Sequence, residues 1–206
     1  MKNLKLFGPR VLLAKEKPAQ KGKLLLPDNR DAIHALARVV AIGDGVIRLP
    51  DGTRVDVPLK VAVGDIVFFQ TNASMAAACS YELDGVSYMN LMQGDLLARL
   101  PDTDITVEKM EMLGDWVLIT PSIRQTGTII LPATMNYQEH LEHTYWTCVK
   151  AAPGSDFEAV PGQEVLVNAH RASPVQIDSA IYCYIDRNFI LGVMDVAPKP
   201  VSVLTA

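Results

Sequence analysis

The chain has 206 residues, 49% of them hydrophobic, and a formal net charge of −4. This length allows one medium domain or two small ones with real cores. The negative charge argues against nucleic acid as a partner, because phosphate binding needs a basic surface. No apolar run reaches the ~18 residues of a membrane span, and the N-terminus has no signal-peptide pattern. We therefore expect no membrane partner.

The cysteines indicate a reducing compartment. Cys79, Cys148 and Cys183 are an odd number and lie in unrelated sequence contexts. Paired spacings are typical of disulfide frameworks in secreted proteins, and none is present here. We expect three reduced, metal-free thiols in a cytoplasmic protein (in the cytoplasm of a host cell if the protein is viral).

Taken in chain order, the predicted elements are mostly short strands. Aliphatic runs bounded by Gly, Pro and Asp are typical of strands and indicate a small barrel or sandwich. Two stretches, 29–37 and 135–143, fit a helical turn or an extended loop equally well. The runs that predict strands are RVLLA, ARVVAIG, DIVFF and DLLARL.

A hairpin is predicted between Arg48 and Val61. Its turn is Asp51-Gly52, because an Asp-Gly pair between strands is the strongest short-range turn signal in this chain. We assign Pro50, Asp51 and Gly52 to its tip.

The sequence contains an internal repeat. GPRVLLAKEKPAQKGKLLLP, from Gly8 to Pro27, matches GDWVLITPSIRQTGTIILP, from Gly114 to Pro132. Each stretch is a glycine, an aliphatic strand, a polar stretch, and then three aliphatic residues before a proline. Later, GDIVFFQ matches GQEVLVN, and the two units end on similar strands. A repeat of this kind is one structural unit written twice. The predicted boundaries are 1–100 for the first domain, 101–109 for a linker, 110–196 for the second domain and 197–206 for a tail.

The two copies differ in one place. Gly45 to Gly64 in the first copy is longer than Gly154 to Gly162 in the second, so the second copy lacks most of the hairpin. A projecting element kept in one copy indicates a role that is needed once per chain.

The first unit resembles GroES-type co-chaperonins (the chaperonin-10 family) along nearly its whole length. The resemblance rests on GPRVLLA, KGKLLLPD, ARVVAIGDG, VPLKVAVGDIVFF and YELDGVSYMNLMQGDLLARL. The second unit is similar mainly in Gly127 to Pro132 and in its order of strands. The tandem arrangement resembles the double-headed co-chaperonins of chloroplasts. The family's usual Gly-Gly before the triplet is replaced here by Gly22-Lys23 and Gly127-Thr128.

The resemblance implies an all-β fold of two tandem, small, partly open GroES-like barrels, with a roof hairpin in the first only. It also implies a homo-oligomeric ring that caps a GroEL-like chaperonin ring in a nucleotide-dependent manner and assists ATP-dependent protein folding. Each unit then has a mobile loop whose triplet docks on the chaperonin. The implied binding residues are Leu24, Leu25, Leu26, Ile129, Ile130 and Leu131. The implied loop hinges are Gly22, Pro27, Gly127 and Pro132.

Other readings of these motifs are less specific. Three aliphatics before a proline also occur in ordinary core strands. The GDG at Gly43–Gly45 lacks the rest of a phosphate-binding fingerprint and is interpreted as a turn. His140 and His143 with Cys148 make an incomplete zinc set. There is no nucleophile-and-base pattern, so we expect neither an enzyme nor a bound cofactor.

Two alternative functions belong to other classes. A structural assembly protein, for example a virion ring or cement component, can reuse the GroES-like fold. A substrate domain of the medium-chain dehydrogenase type shares the fold, but the chain has no room for the nucleotide-binding domain that such an enzyme needs.

Overall fold

A computed structural model describes residues 5–16, 32–72, 79–83, 85–122, 145–153, 159–177 and 180–194. The chain divides into two compact units, with the change between Leu113 and Gly114. All strand pairs in the described residues are antiparallel. The all-β fold class predicted from the sequence is confirmed. No helix in the described ranges is long and apolar enough to cross a bilayer.

The first unit contains nine strands in the described residues. The predicted strands RVLLA, ARVVAIG, DIVFF and DLLARL all lie in it. For the stretch 29–37, which fitted a helical turn or an extended loop, residues 32–37 are extended and belong to a strand. Its elements are β1 (Arg10–Glu16), β2 (Ala32–Ile42), β3 (Val46–Arg48), β4 (Arg54–Asp56), β5 (Ile66–Asn72), β6 (Ser80–Leu83), β7 (Val86–Met92), a 3₁₀ turn (Gln93–Asp95), β8 (Leu96–Leu100) and β9 (Glu111–Met112).

The second unit contains six strands in its described residues. The stretch 135–143 lies outside them. The elements are β10 (Trp116–Pro121), β11 (Tyr145–Ala151), β12 (Glu164–Val167), a 3₁₀ turn (Ala169–Arg171), β13 (Ser173–Ile177), β14 (Ala180–Asp186), a second 3₁₀ turn (Arg187–Phe189) and β15 (Ile190–Val193).

The two main sheets have the same strand order. In the first unit it is β6-β7-β1-β2-β5-β8, with β9 added beyond β8, and in the second it is β13-β14-β10-β11-β12-β15. The sequence repeat is therefore a repeat of topology, strand for strand. The hairpin β3-β4 forms a separate sheet in the first unit, and the described residues of the second unit contain no counterpart.

Irregularities in the ladders also repeat. The register shifts between Leu12 and Leu13 in the first unit and between Leu118 and Ile119 in the second. These positions are equivalent when Gly8 is aligned with Gly114. The same irregularity of pairing is therefore present at the same place in both units.

Each sheet folds around its own core. In the first unit, alternate residues on one face of five strands form a single buried cluster. Among the residues that the structure describes, that sheet is not closed, because its edge strands β6 and β9 each pair on one side only. This is a partly open barrel. The core members on those strands are Val11, Leu13, Ala37, Val39, Val67, Phe69, Met89, Leu91 and Leu96.

The second core uses the equivalent positions. Its cluster comes from β10, β11, β12 and β14, again from one face of the sheet. The equivalent members are Val117, Ile119, Trp146, Cys148, Val165, Val167, Cys183 and Ile185.

The first unit extends past residue 100. The predicted linker, 101–109, lies inside it. Met110, Met112 and Leu113 are buried, and β9 pairs with β8. These apolar side chains bury more favourably against the first sheet than in water, so the unit ends at Leu113.

The three cysteines are free. Cys148 and Cys183 are buried and lie on the two strands that flank Ile119 of β10. Strands two apart are about 9 to 10 Å from each other, which exceeds the Cα separation that a disulfide spans. Cys79 belongs to the first unit and is half-buried.

Candidate functional site

The described candidate site is the hairpin of the first unit, residues 46–56. Strands β3 and β4 pair with each other, with Ile47 opposite Val55. The turn is closed by three hydrogen bonds. Leu49 N donates to Thr53 O over 2.9 Å, Gly52 N donates to Leu49 O over 3.0 Å, and Thr53 N donates to Asp51 Oδ1 over 2.8 Å. A hairpin with Asp51 and Gly52 in its turn is present, but its strands are Val46–Arg48 and Arg54–Asp56 and do not extend to the predicted end at Val61.

The turn requires the residue types found at Asp51 and Gly52 for physical reasons. Gly52 has a φ of 86°, a conformation that disfavours residues with a side chain. The hydrogen bond from Thr53 N to the Asp51 carboxylate lowers the pKa of Asp51 below its ordinary value, because it stabilises the charged form. Pro50 at the tip is exposed.

The base of the hairpin is organised by the carboxylate of Asp44. Its Oδ1 accepts hydrogen bonds from Gly8 N at 2.7 Å and Val46 N at 3.2 Å. Its Oδ2 is 2.7 Å from Nη2 of Arg48, with which it forms an ion pair. The Arg48 hydrogen bond, followed by that of Gly8, holds the pKa of Asp44 well below its usual range. The GDG motif is therefore a turn that anchors the hairpin.

The glycines beside Asp44 are required by close backbone approach. A Cβ on Gly43 would lie 2.1 Å from the carbonyl oxygen of Gly8, which is an impossible contact. Gly45 has a φ of 66°, and a Cβ there would lie 2.8 Å from the carbonyl oxygen of Val57. The backbone at Gly8 and at Val57 can approach this turn so closely only because positions 43 and 45 are both glycine.

The hairpin presents an apolar surface to solvent. Ile47, Leu49 and Val55 are 37%, 43% and 42% exposed. Near the base, Phe7 is 56% exposed, with Arg48 Cζ 5.9 Å from its ring centroid. Several exposed apolar side chains on one small hairpin are typical of a surface that another molecule covers.

The sequence did not single out Asp44, Arg48 or Phe7. The signal for Asp44 was present, since an Asp between two glycines is a strong turn former that can accept backbone hydrogen bonds. The role of Arg48 is visible only in the structure, because Arg48 pairs with Asp44 across a turn. Phe7 gave no signal, because a lone aromatic residue beside a glycine is usually part of a core.

The predicted binding segments lie outside the described residues. This applies to all six triplet residues and to the four hinges. The strands that frame them are described. The first segment joins β1 to β2 and the second joins β10 to β11, and in each unit these two strands are antiparallel neighbours. The two segments thus connect equivalent strands.

The described residues contain no group of three or more His, Cys, Asp or Glu side chains that could hold a metal ion. His140 and His143 lie outside the described ranges.

Comparison with known proteins identifies one family. Residues 3–100 match the family described as the chaperonin 10 kDa subunit. The co-chaperonin GroES of Thermus thermophilus is 37% identical over 99 residues, which are 47% of this chain and 91% of the relative. The co-chaperonin GroES of Coprothermobacter proteolyticus is 37% identical over 97 residues, covering 46% and 92%. That of Clostridium botulinum is 35% identical over 97 residues, covering 46% and 95%.

Proposed function

This chain belongs to the chaperonin 10 family, and from that premise we propose that it is a co-chaperonin that caps a chaperonin ring and assists ATP-dependent folding. The two aliphatic triplets, Leu24–Leu26 and Ile129–Leu131, make the contact. The hinges at Gly22, Pro27, Gly127 and Pro132 bound the two binding segments. The observation that carries the proposal is the repeat itself, because both triplets occur in the chain between equivalent, antiparallel-paired strands.

A single binding segment is marginal on energetic grounds. Burying three Leu or Ile side chains contributes roughly 1.5 to 3 kcal/mol each. Ordering about eight residues costs on the order of 1 kcal/mol or more apiece. The two contributions nearly cancel, so one segment binds weakly and releases readily.

A ring of such segments binds firmly. After the first contact, the others become intramolecular, at effective concentrations of about millimolar for short tethers. Two triplets per chain increase the number of contacts without adding chains. Weak individual contacts also allow the lid to leave when the chaperonin changes conformation.

The hairpin at Pro50, Asp51 and Gly52 has the role of roof in this proposal. Its exposed Ile47, Leu49 and Val55 offer the surface by which hairpins of neighbouring chains contact each other. Its anchoring through Asp44 and Gly8 fixes the direction in which it projects. Because it is present in the first unit, each chain contributes one roof element.

Nucleotide-dependent co-elution tests the proposal. The protein is mixed with a GroEL-like chaperonin ring in the presence of ATP, of ADP or of no nucleotide, and is then separated by size. We expect co-elution only with nucleotide. If the protein forms rings but never co-elutes, the structural assembly function is favoured instead.

A matched pair of variants makes the test specific. Leu25→Ser and Ile130→Ser remove the central residue of each triplet, whereas Val63→Ser changes an exposed apolar residue of the first unit (61% exposed) outside both segments. The first two should lose co-elution and the third should keep it.

A further inference from the structure

The return arm of the hairpin, residues 57–61, joins β4 to the barrel without belonging to a strand. It begins at the base of the hairpin, where Val57 N donates to Gly45 O over 2.7 Å. It ends at Val61, which is 4% exposed and belongs to the first core. Backbone groups outside a strand ladder need other partners, which are side chains or water. The hairpin can therefore bend at this arm unless a side chain holds it.

One side chain binds the return arm at two points. The amide of Gln93 donates through Nε2 to Pro58 O over 3.1 Å, and its Oε1 accepts a hydrogen bond from Lys60 N. A primary amide carries both donors and an acceptor, so this one group binds a carbonyl and an N–H two residues apart. In the described part of the chain, Gln93 makes both hydrogen bonds that join residues 58–60 to the rest of the unit.

The backbone of Gln93 attaches this link to the barrel. Gln93 is the first residue of the 3₁₀ turn between β7 and β8, and its N–H donates to Pro9 O over 2.8 Å. The preceding residue, Gly8, binds the other arm of the hairpin, because its N–H donates to Asp44. The two arms are thus attached to adjacent residues just before β1. One attached arm leaves a hinge, whereas two attached arms fix a direction.

The second unit has the same turn, and its described residues contain no hairpin. Arg187 is equivalent to Gln93 when Gly8 is aligned with Gly114, and its N–H donates to Asp115 O over 2.9 Å. The side chain differs in its partner, since Nε of Arg187 lies 3.1 Å from Oδ1 of the same Asp115. The backbone bond is therefore common to both units, and the bridging amide occurs in the unit that has the hairpin.

We propose that Gln93 is a positioning residue of the roof, which holds the return arm so that the hairpin projects in one direction. The inference rests on the proposed function, in which hairpins of neighbouring chains form a roof, and it names the residue that orients them. Ile47, Leu49 and Val55 meet their counterparts on the next chain only if every hairpin leaves its barrel at the same angle. Gln93 restricts that angle.

Three substitutions separate the two hydrogen bonds of the amide. Gln93→Met removes both and keeps a side chain of similar length. This variant should fold, because Pro58 and Lys60 are exposed and water replaces the amide at both backbone groups. Gln93→Glu keeps the acceptor for Lys60 N and loses the donor to Pro58 O. Arg187→Met is the matched control, since it makes the same change at the equivalent turn of the second unit.

Double electron–electron resonance between two spin labels measures the direction of the hairpin. The labels are attached to Arg54→Cys in β4 and Lys15→Cys in β1, which are exposed positions, in a Cys79→Ala background. Lys15 lies roughly 20 Å along the chain from the hairpin base at Gly8, given the rise of an extended strand, and this length suits the method. Labelled chains are diluted with unlabelled protein, so that distances within one chain dominate.

The width of the distance distribution decides the proposal. We expect a narrow distribution when Gln93 is intact and in Arg187→Met. In Gln93→Met it should be about twice as wide or more, because an arm with fewer contacts samples more orientations. Gln93→Glu should lie between them, and it decides alone if Gln93→Met does not fold. Equal widths with and without the Gln93 substitution, or equal broadening by Arg187→Met, would overturn the proposal.

Hydrogen exchange distinguishes reorientation of the hairpin from its unfolding. In Gln93→Met, Lys60 N loses its acceptor, and its exchange should accelerate about tenfold or more. Leu49 N and Gly52 N donate within the hairpin, to Thr53 O and Leu49 O, and their exchange should stay unchanged. Equal acceleration of all three amides would mean that the hairpin unfolds, which contradicts a positioning role.

These measurements are separable from the test of the proposed function, because they use no chaperonin. A broadened distribution in Gln93→Met of a protein that never co-elutes with a chaperonin would overturn the lid and keep the anchoring by Gln93. Co-elution of a protein whose distribution stays narrow in Gln93→Met would do the reverse.

Discussion

Trp146 of the second unit occupies the core position that Ala37 holds in the first. Trp146 is opposite Val165 across β11 and β12, and Ala37 is opposite Val67 across β2 and β5. Two residues further along the neighbouring strand the sizes are reversed, because the first core has Phe69 where the second has Val167. The two cores therefore carry their large side chain on opposite members of one strand pair.

This exchange predicts a rescue. Trp146→Ala should destabilise the protein by about 3 to 5 kcal/mol, because it leaves a large cavity. Adding Val167→Phe copies the first core and should recover part of that loss. Denaturant unfolding measures both changes. Val167→Phe alone is the control and should itself destabilise, since it overpacks the space beside Trp146.

The ion pair at the base of the hairpin predicts a pH response. Asp44 has a folded-state pKa below its ordinary value of 3.8, caused first by Arg48 and then by Gly8. A lowered pKa means that the interaction contributes at pH values above 3.8 and is lost only as pH falls through the lower folded-state value. Arg48→Gln should raise the pKa of Asp44 toward the ordinary value, as measured by carboxyl carbon shifts in an NMR titration. Arg54→Gln, on the other strand of the hairpin, should leave it unchanged.

Substitutions in the aliphatic triplets distinguish binding segments from ordinary core strands. If they are binding segments, Leu25→Ser and Ile130→Ser should change the free energy of unfolding by no more than about 0.5 kcal/mol, as exposed substitutions usually do. Leu13→Ser, in the buried core of the first unit, is the comparison and should cost several kcal/mol because it leaves a cavity and an unpaired hydroxyl. Thermal melting of the three variants decides between the readings. A collapse of the melting temperature in the first two would show that the triplets are core.

Removal of the hairpin tip tests the roof. Deletion of residues 49–55 should leave both units folded, because every residue from Ile47 to Asp56 is exposed and pairs only within the hairpin or with its base. If the chain caps a chaperonin as proposed, the shortened protein should still assemble and bind the chaperonin, but a small encapsulated client should escape. Client retention after gel filtration is the measurement. Retention equal to that of the intact protein would contradict the roof.

The different burial of the three thiols predicts the order in which they react. Burial raises the pKa of the Cys148 thiol to about 11, so at pH 8 it is both protonated and inaccessible. A disulfide reagent should modify half-buried Cys79 in the folded protein and should modify Cys148 and Cys183 only after unfolding. Between pH 9 and about 11 the unfolded chain loses the Cys148 proton first, so stability should fall as pH rises through this window. Rapid labelling of all three thiols in the folded state would contradict the burial.

Much of the fold could be predicted from local signals. Short aliphatic runs bounded by turn residues marked the strands, and Asp51-Gly52 marked the hairpin because the positive φ of Gly52 favours glycine. The repeat predicted the common topology. The end of the first unit at Leu113 could not be predicted, because Pro101–Lys109 is polar and reads as a linker. Only the pairing of β9 with β8, which is a long-range contact, places it inside the unit.

The candidate site was predicted unevenly for the same reason. The tip of the hairpin is specified by adjacent residues, so the sequence located it. Its anchoring depends on Asp44 meeting Gly8, which are far apart in the chain and brought together by β1 and β2. The equivalence of Ala37 and Trp146 was also hidden, since alignment by residue type does not match a small side chain with the largest one.

The pairing of β9 with β8 within one chain has a consequence for dilution. Two separate molecules lose translational and rotational freedom when they associate, but β9 is tethered to β8 and loses none of this. The β8·β9 contact is therefore independent of protein concentration, whereas a contact between separate copies of the chain is not. Dilution should release single chains with both units folded and never the separate halves.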